Sequence, residues 1–245
     1  MSYGEFAKIY DKLINEDIDY GKIANRINEV IRELDIKKED YLDLACGTGN
    51  VSIKICSEFD NTYLVDLSED MLSEADEKFR ESNNYPMIIC QDMVNLELNH
   101  KFDLITCMLD STNYLIEDGE LQKYFNNIYN HLKEDGIFIF DINSYYKISN
   151  ILGNNIYIHN EDNIFYSWEN EFEDDVVGMF LTFFVKDGDK YEKFEEEHYE
   201  RGYTEFEIEE ALKNAGLKLV SKYDEYTKNQ VNEKSERIMY VVKKA

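Results

Sequence analysis

The stretch YLDLACGTGN, residues 41–50, decides how this chain is read. A short apolar run enters two glycines spaced G-x-G, Gly47 and Gly49. An acid, Asp43, stands four residues ahead of the first. Glycines there let the chain swing from a strand into a helix and let a ligand approach the main chain. The pair alone also suits a dinucleotide, whose usual pattern is G-x-G-x-x-G. Here the third position is Ser52. Asp43 would repel a pyrophosphate and attract a cation.

Strand-like and helix-like segments alternate outward from this turn. YGKIANRINEVIREL places Ile23, Ile27, Val30, Ile31 and Leu34 at helical spacing. YLDLA reads as a strand, and NVSIKICSEF as a helix with Val51, Ile55 and Phe59 on one face. TYLV is a strand ending at Asp66. SEDMLSEADEKF is a helix with Ser68 as N-cap and acids in its first turn. PMIIC and FDLITCML are strands. GELQKYFNNIYNHLKEDG carries Leu121, Phe125, Ile128, Tyr129 and Leu132 as a helix stripe, with Gly136 as its stop. GIFIFDI is a strand. Such alternation predicts a parallel, doubly wound α/β sheet that binds its ligand at the carboxyl ends of the strands.

The alternation breaks after Asn143. Residues 163–201 read as three strands of an antiparallel meander, NIFYSWENEFE, VVGMFLTFFVKDG and DKYEKFEEEHYERGY. TEFEIEEALKNAG then resumes the helical pattern with a capping box, Thr204 and Glu207, and Gly216 at its end. LKLVSKY and RIMYVVKK follow with no helix between them, so the last strand is expected antiparallel. The predicted division is a core of residues 1–152 and 202–245, with N-terminal helices within 1–36, and an inserted β cover over 153–201.

The strand ends supply the candidate chemistry. Asp66 lies 17 residues past Gly49, near the spacing of roughly 20 at which a ribose-binding acid stands in nucleotide-binding βαβ units. Cys90-Gln91-Asp92-Met93 offers a polar acceptor beside an apolar side chain, which suits an adenine ring. MLDSTNYL bunches Asp110, Ser111 and Asn113. Together these describe an adenosine that carries a positive charge and no phosphate.

LDLACGTGN, VDLSEDML, CQDMVNL, FDLITCMLDSTNYL and LKEDGIFIFDI, in this order, resemble the successive motifs of the Rossmann-like S-adenosylmethionine-dependent methyltransferases. The resemblance spans residues 38–143. The ending also fits that family, whose seven-stranded, mostly parallel sheet has an antiparallel last strand. FAKIYDKLINEDIDY is similar to a bacterial small-molecule branch that includes amino-sugar N-methyltransferases. The resemblance implies S-adenosyl-L-methionine as cofactor. Asp43 and Gly47 would face its methionine part, with Gly49 shaping the turn. Asp66 would hold the ribose. Met71, Asp92 and Met93 would surround adenine, and Ala45, Thr48, Leu67 and Gln91 would complete the cofactor site. Leu109 would lie at the mouth, and Tyr10 and Tyr20 would close over the methionine tail or pack an N-terminal helix.

The expected activity is transfer of a methyl to N or O of a small-molecule acceptor. Asp110 and Asn113 either orient or deprotonate that acceptor or fix a turn. Relatives that methylate nucleobase amines carry N/D-P-P-Y/F after the fourth strand, and this chain has DSTNY. Over residues 157–201 there are 14 acids and 4 bases. Such a cover favours an amine acceptor, or is a solvated sheet face. His198 and Arg201 stand at its end, and Trp168 is expected to pack. The alternatives are an NAD-dependent oxidoreductase, an RNA or protein methyltransferase, and a catalytically silent cofactor-binding module.

Composition narrows the partners. The 52 acids and 26 bases leave a net charge of −26, which disfavours nucleic acid and anionic membranes. No signal peptide or membrane span is visible, so a cytoplasmic protein is expected, as a monomer or a homodimer. The cysteines Cys46, Cys56, Cys90 and Cys107 form no C-x-x-C pair. They read as thiols in a reducing compartment, without disulfide or metal.

Overall fold

A computed structural model describes residues 18–161 and 163–245. Helix α1 (Tyr20–Glu33) is followed by strands β1 (Asp40–Leu44) and β2 (Asn61–Asp66), helix α2 (Glu69–Glu81), and strands β3 (Met87–Cys90) and β4 (Phe102–Cys107). Helix α3 (Glu120–His131) leads into β5 (Leu132–Asn143). The sheet lies in the order β10-β11-β5-β4-β1-β2-β3, where β10 is Leu217–Asp224 and β11 is Arg237–Lys244. β11 is antiparallel to both neighbours, and the pairings of β1 to β5 are parallel. The chain turns back between β1 and β4, so the topological switch point lies at their carboxyl ends.

Period-2 alternation splits the core between the two faces of this sheet. Leu42, Phe138, Phe140 and Tyr240 pack with α3 and with α4 (Glu205–Asn214). Tyr41, Ile137, Ile139 and Met239 pack with Ile23, Ile27 and Ile31 of α1. Each of those three isoleucines is fully buried and contributes about 1.5–3 kcal/mol.

A second, four-stranded antiparallel sheet follows β5, in the order β6 (Ile156–Glu161), β7 (Ile164–Glu173), β8 (Val176–Asp187) and β9 (Lys190–Arg201). Asp174 and Asp175, both with positive φ, make the tight β7–β8 turn in the conformation that strand twist favours. One face of this sheet seats Phe183 against Met71 of α2, and Val177 and Met179 against Ile148 and Leu152.

Three expectations are corrected. Residues 51–59 are not an α-helix but two 3₁₀ turns, Ser52–Lys54 and Cys56–Glu58. Val51, Ile55 and Phe59 are still buried. The segment is rich in β-branched residues, and the Ser52 hydroxyl is tied to Asp43, which holds the turn against β1. Helix α3 ends at His131 and is not stopped by Gly136. Leu132 instead pairs with Phe102 at the start of β5. Gly136 serves a close strand approach, because a Cβ there would stand 2.7 Å from the Phe102 carbonyl oxygen. The meander has a fourth strand, β6, ahead of the three expected. Two stripe residues also fall outside the core. Leu34 is the C-cap of α1, and the exposed ring of Tyr129 lies under Lys244.

Candidate active site

The carboxyl ends of β1 to β4 open into a cavity of about 720 Å³, within the size range of small-molecule sites. Its floor is the turn after β1. Gly47 has φ +53°, and a Cβ built there would meet nothing within 4 Å, so the backbone borders open space. Ala45 also has positive φ, a strained conformation of the kind that clusters at functional sites. Gly49 plays a different part. It does not line the cavity, and its Cβ would stand 2.9 Å from Phe79 of α2, so it is there for packing. Lys78 of α2 ties the turn down through the Thr48 carbonyl at 2.9 Å, the Thr48 hydroxyl at 3.2 Å and the Asn50 amide oxygen.

Two carboxyls are held over this floor. Asp66 accepts the Gly47 N–H at 2.8 Å and the Ser68 N–H at 2.9 Å, which joins the ends of β1 and β2. Burial raises its pKa, against the pull of those amides. Asp43 accepts from the hydroxyls of Ser52 and of Thr106, the latter at 2.7 Å. Burial lifts Asp43 to about 6, opposed by the two hydroxyls and reinforced by the charge of Asp66. A cation beside Asp43 would relieve this.

Gln91, Asp92 and Met93 line the next wall. Asp92 caps its own turn, accepting the Val94 N–H at 2.8 Å and the Asn95 amide at 2.5 Å. Leu67 and Met71 border the same region, and Tyr20 approaches from α1. Tyr10 lies outside the described residues.

The far end is organised by Asp141, which is buried at the end of β5. Leu109 and Asp110 both have positive φ, and their N–H groups donate to the Asp141 carboxylate at 2.9 and 2.7 Å. This is a backbone nest around an anion. Tyr226 adds a hydroxyl at 2.8 Å, and Arg237 bridges Asp141 at 2.5 Å and Asp110 at 2.6 Å. Asp110 faces the cavity. Burial works to raise its pKa, but the charges of Arg237 and Lys147 outweigh it and hold the group below the usual carboxylate range. Glu200 of β9 meets the Asp110 carboxylate and accepts from the Asn143 amide at 2.7 Å. Burial, then the charge of Asp110, push Glu200 well above its ordinary range.

Asn113 does not reach the cavity. Its amide donates to the carbonyls of Asn143 and Arg201 at 3.0 and 2.9 Å and accepts the Asn143 N–H, which pins the second sheet to the core. Arg201 is drawn away to Asp118 at 3.1 Å. His198 and Tyr114 do border the cavity, in hydrogen-bond contact at 3.3 Å. Trp168 packs against the Ile148 cluster. Asp141, Arg237 and Glu200 were not among the candidates. Asp141 has a sequence signal, as a lone acid at the end of an apolar strand, whereas Arg237 and Glu200 have none.

The residues fit a cationic adenosine cofactor. The open Gly47 cradle, the pre-oriented Asp66 and the buried Asp43 lie along one cavity, with no Lys or Arg among its described lining residues. Among the described residues the one group of side chains close enough together to hold a metal ion, Glu39, Asp40 and Asp103, lies at the other end of β1, with the Lys133 ammonium within 3.0 Å of each carboxylate. No helix among the described residues is long and apolar enough to cross a membrane.

Residues 42–136 match the family described as a methyltransferase domain. A protein of Geobacillus sp. strain WCH70, named as a methyltransferase, is 33% identical over the whole of both chains. A crystal structure described as an S-adenosylmethionine-dependent methyltransferase from Clostridium acetobutylicum is 53% identical, with a TM-score of 0.95 over 99% of each chain. The dTDP-3-amino-3,6-dideoxy-alpha-D-glucopyranose N,N-dimethyltransferase of Streptomyces fradiae is 30% identical over 56% of this chain and 52% of its own. By this likeness and by its fold, the chain belongs to the S-adenosylmethionine-dependent methyltransferases.

Proposed function

We propose that the protein methylates nitrogen or oxygen of a small-molecule acceptor that enters beside Asp110. The observation that carries this reading is the single cavity running from Gly47, Asp66 and Asp92 to Asp110, Tyr114 and His198. S-adenosylmethionine, when bound, supplies an activated methyl group on a sulfonium. The chain then has to align the acceptor and exclude water. Gly47, Asp43 and Tyr20 would hold the methionine part, Asp66 the ribose, and Gln91, Asp92, Met93 and Met71 the adenine. Asp110, kept ionised and fixed by Arg237, would accept a hydrogen bond from the acceptor and turn its lone pair toward the methyl. It would take up a proton only when the acceptor has one to lose. The sheet β6–β9 would cover the site and supply His198.

The S. fradiae relative supports an amine acceptor through its name. The oxidoreductase reading has no comparable support, since Ser52 stands bonded to Asp43 where a dinucleotide turn would place its third glycine.

Calorimetry with S-adenosylmethionine, on the natural chain and on Asp66→Ala, is the test. Hydrogen bonds to a charged group contribute about 1.5–3 kcal/mol, so about 10- to 100-fold weaker binding is expected. Unchanged affinity in a folded variant would refute the ribose assignment. Release of S-adenosylhomocysteine with a metabolite extract then tests turnover.

A further inference from the structure

We infer that the acceptor of this methyltransferase carries no phosphate and is a free amine, unlike the nucleotide-linked sugar named for the S. fradiae relative. The inference rests on the methyl-transfer reading above and concerns what the same cavity admits. A nucleoside diphosphate needs cations or helix N-termini to receive it. Among the described residues the cavity lining contains neither Lys nor Arg.

Among the described residues the cations near the cavity are engaged. Arg237 is held between Asp110 and Asp141. Arg201 pairs with Asp118. Lys147 donates to the Asn143 amide oxygen at 3.0 Å. Lys78 serves the glycine turn, and Lys123 is bonded to Asn95 at 2.5 Å. His198 borders the cavity, but burial lowers its pKa and favours the neutral ring.

The helix ends are closed to anions as well. The first turns of helices α2 and α3 border the cavity, where a phosphate would otherwise settle. Each turn carries acid, Glu69 and Asp70 on α2 and Glu120 on α3, and all three line the cavity. A pyrophosphate would meet these carboxylates, whereas an ammonium would meet them and Asp110 favourably.

The test begins with calorimetry of S-adenosylmethionine. If the cofactor does not bind, the methyl-transfer reading falls first. The chain saturated with S-adenosylhomocysteine is then titrated with two probes, the methyl glycoside of a 3-amino-3-deoxy sugar and the dTDP-linked form of the same sugar. The free amino sugar is expected to bind at least about tenfold more tightly, because like charges oppose the linked form. Binding by the dTDP-linked form that is equal or tighter overturns the inference. So does failure of the free amino sugar to bind at low millimolar concentration while the cofactor binds normally.

Discussion

Arg237 and Asp110 meet at 2.6 Å across 127 positions of sequence, and the contact fixes the charge at the far end of the cavity. The guanidinium also holds Asp141, so one cation compensates two carboxylates in a place that water reaches poorly. Removing one partner of such a cluster leaves the others buried without compensation. Arg237→Met is expected to destabilise the fold by about 3–5 kcal/mol. Urea midpoints check this, and a midpoint within error of the natural chain would contradict it.

Glu200→Gln should change how stability depends on pH. The folded carboxyl stays protonated well above its ordinary 4.5, so between the two values the fold binds a proton that the unfolded chain has released. Stability contributed at this site therefore falls as pH rises above about 4.5, by up to about 1.4 kcal/mol per pH unit. Gln cannot ionise. The variant should match the natural chain near pH 4.5 and exceed it at about pH 8. Parallel urea-midpoint curves across that range would sink the assignment.

Cofactor affinity should depend on Asp43. This carboxyl sits at about 6 before the cation arrives, and the cation favours its ionised form. Binding then expels a proton below about pH 6, so affinity is flat above that value and weakens as pH falls, at most about tenfold per unit. Calorimetry at several pH values, in buffers of different ionisation heat, reads both the affinity and the released proton. Constant affinity down to about pH 5 would contradict the prediction.

Gly47→Val should spare the fold and abolish cofactor binding. The positive φ costs a side chain about 1–2 kcal/mol, but a Cβ there meets no atom of the described residues within 4 Å. The side chain would occupy the space the cofactor needs. A thermal melt within several degrees of the natural chain, together with a flat calorimetric titration, is the expected pair of results.

The turn and the acids at the near end of the cavity were legible because their signals are local. Asp43, Gly47 and Asp66 each stand at the end of a short apolar strand, and strand ends in a doubly wound sheet face the ligand. Among the far-end residues named from the sequence, Arg201 and Asn113 do not line the cavity, but Leu109, Ser111, His198 and Asp110 do. Asn113 has the same local credentials as its neighbour Asp110 but spends its amide on Asn143 and Arg201. Nothing within DSTNY separates the two, because the partners that decide come from β5 and β9. The missing helix after Gly49 has a similar cause. Its apolar spacing was read correctly as buried, but burial does not distinguish an α-helix from two 3₁₀ turns when Asp43 holds Ser52 close to the strand.

By itself the sequence determined the alternation of strands and helices, apart from the segment after Gly49 and strand β6, together with the glycine turn and the acids that follow it. These rest on periodicities of two and of 3.6 residues and on turn chemistry, which act over a few neighbours. Tertiary structure alone decided the charge network around Asp110. β11 pairs with β5 in a register that sets Met239 opposite Asp141 and Arg237 opposite Asn143, and the second sheet brings Glu200 to the same point. Such a network depends on which distant side chains arrive together in a space that excludes water. No local pattern encodes that arrival, and electrostatic partners buried from water decide the protonation states once it happens.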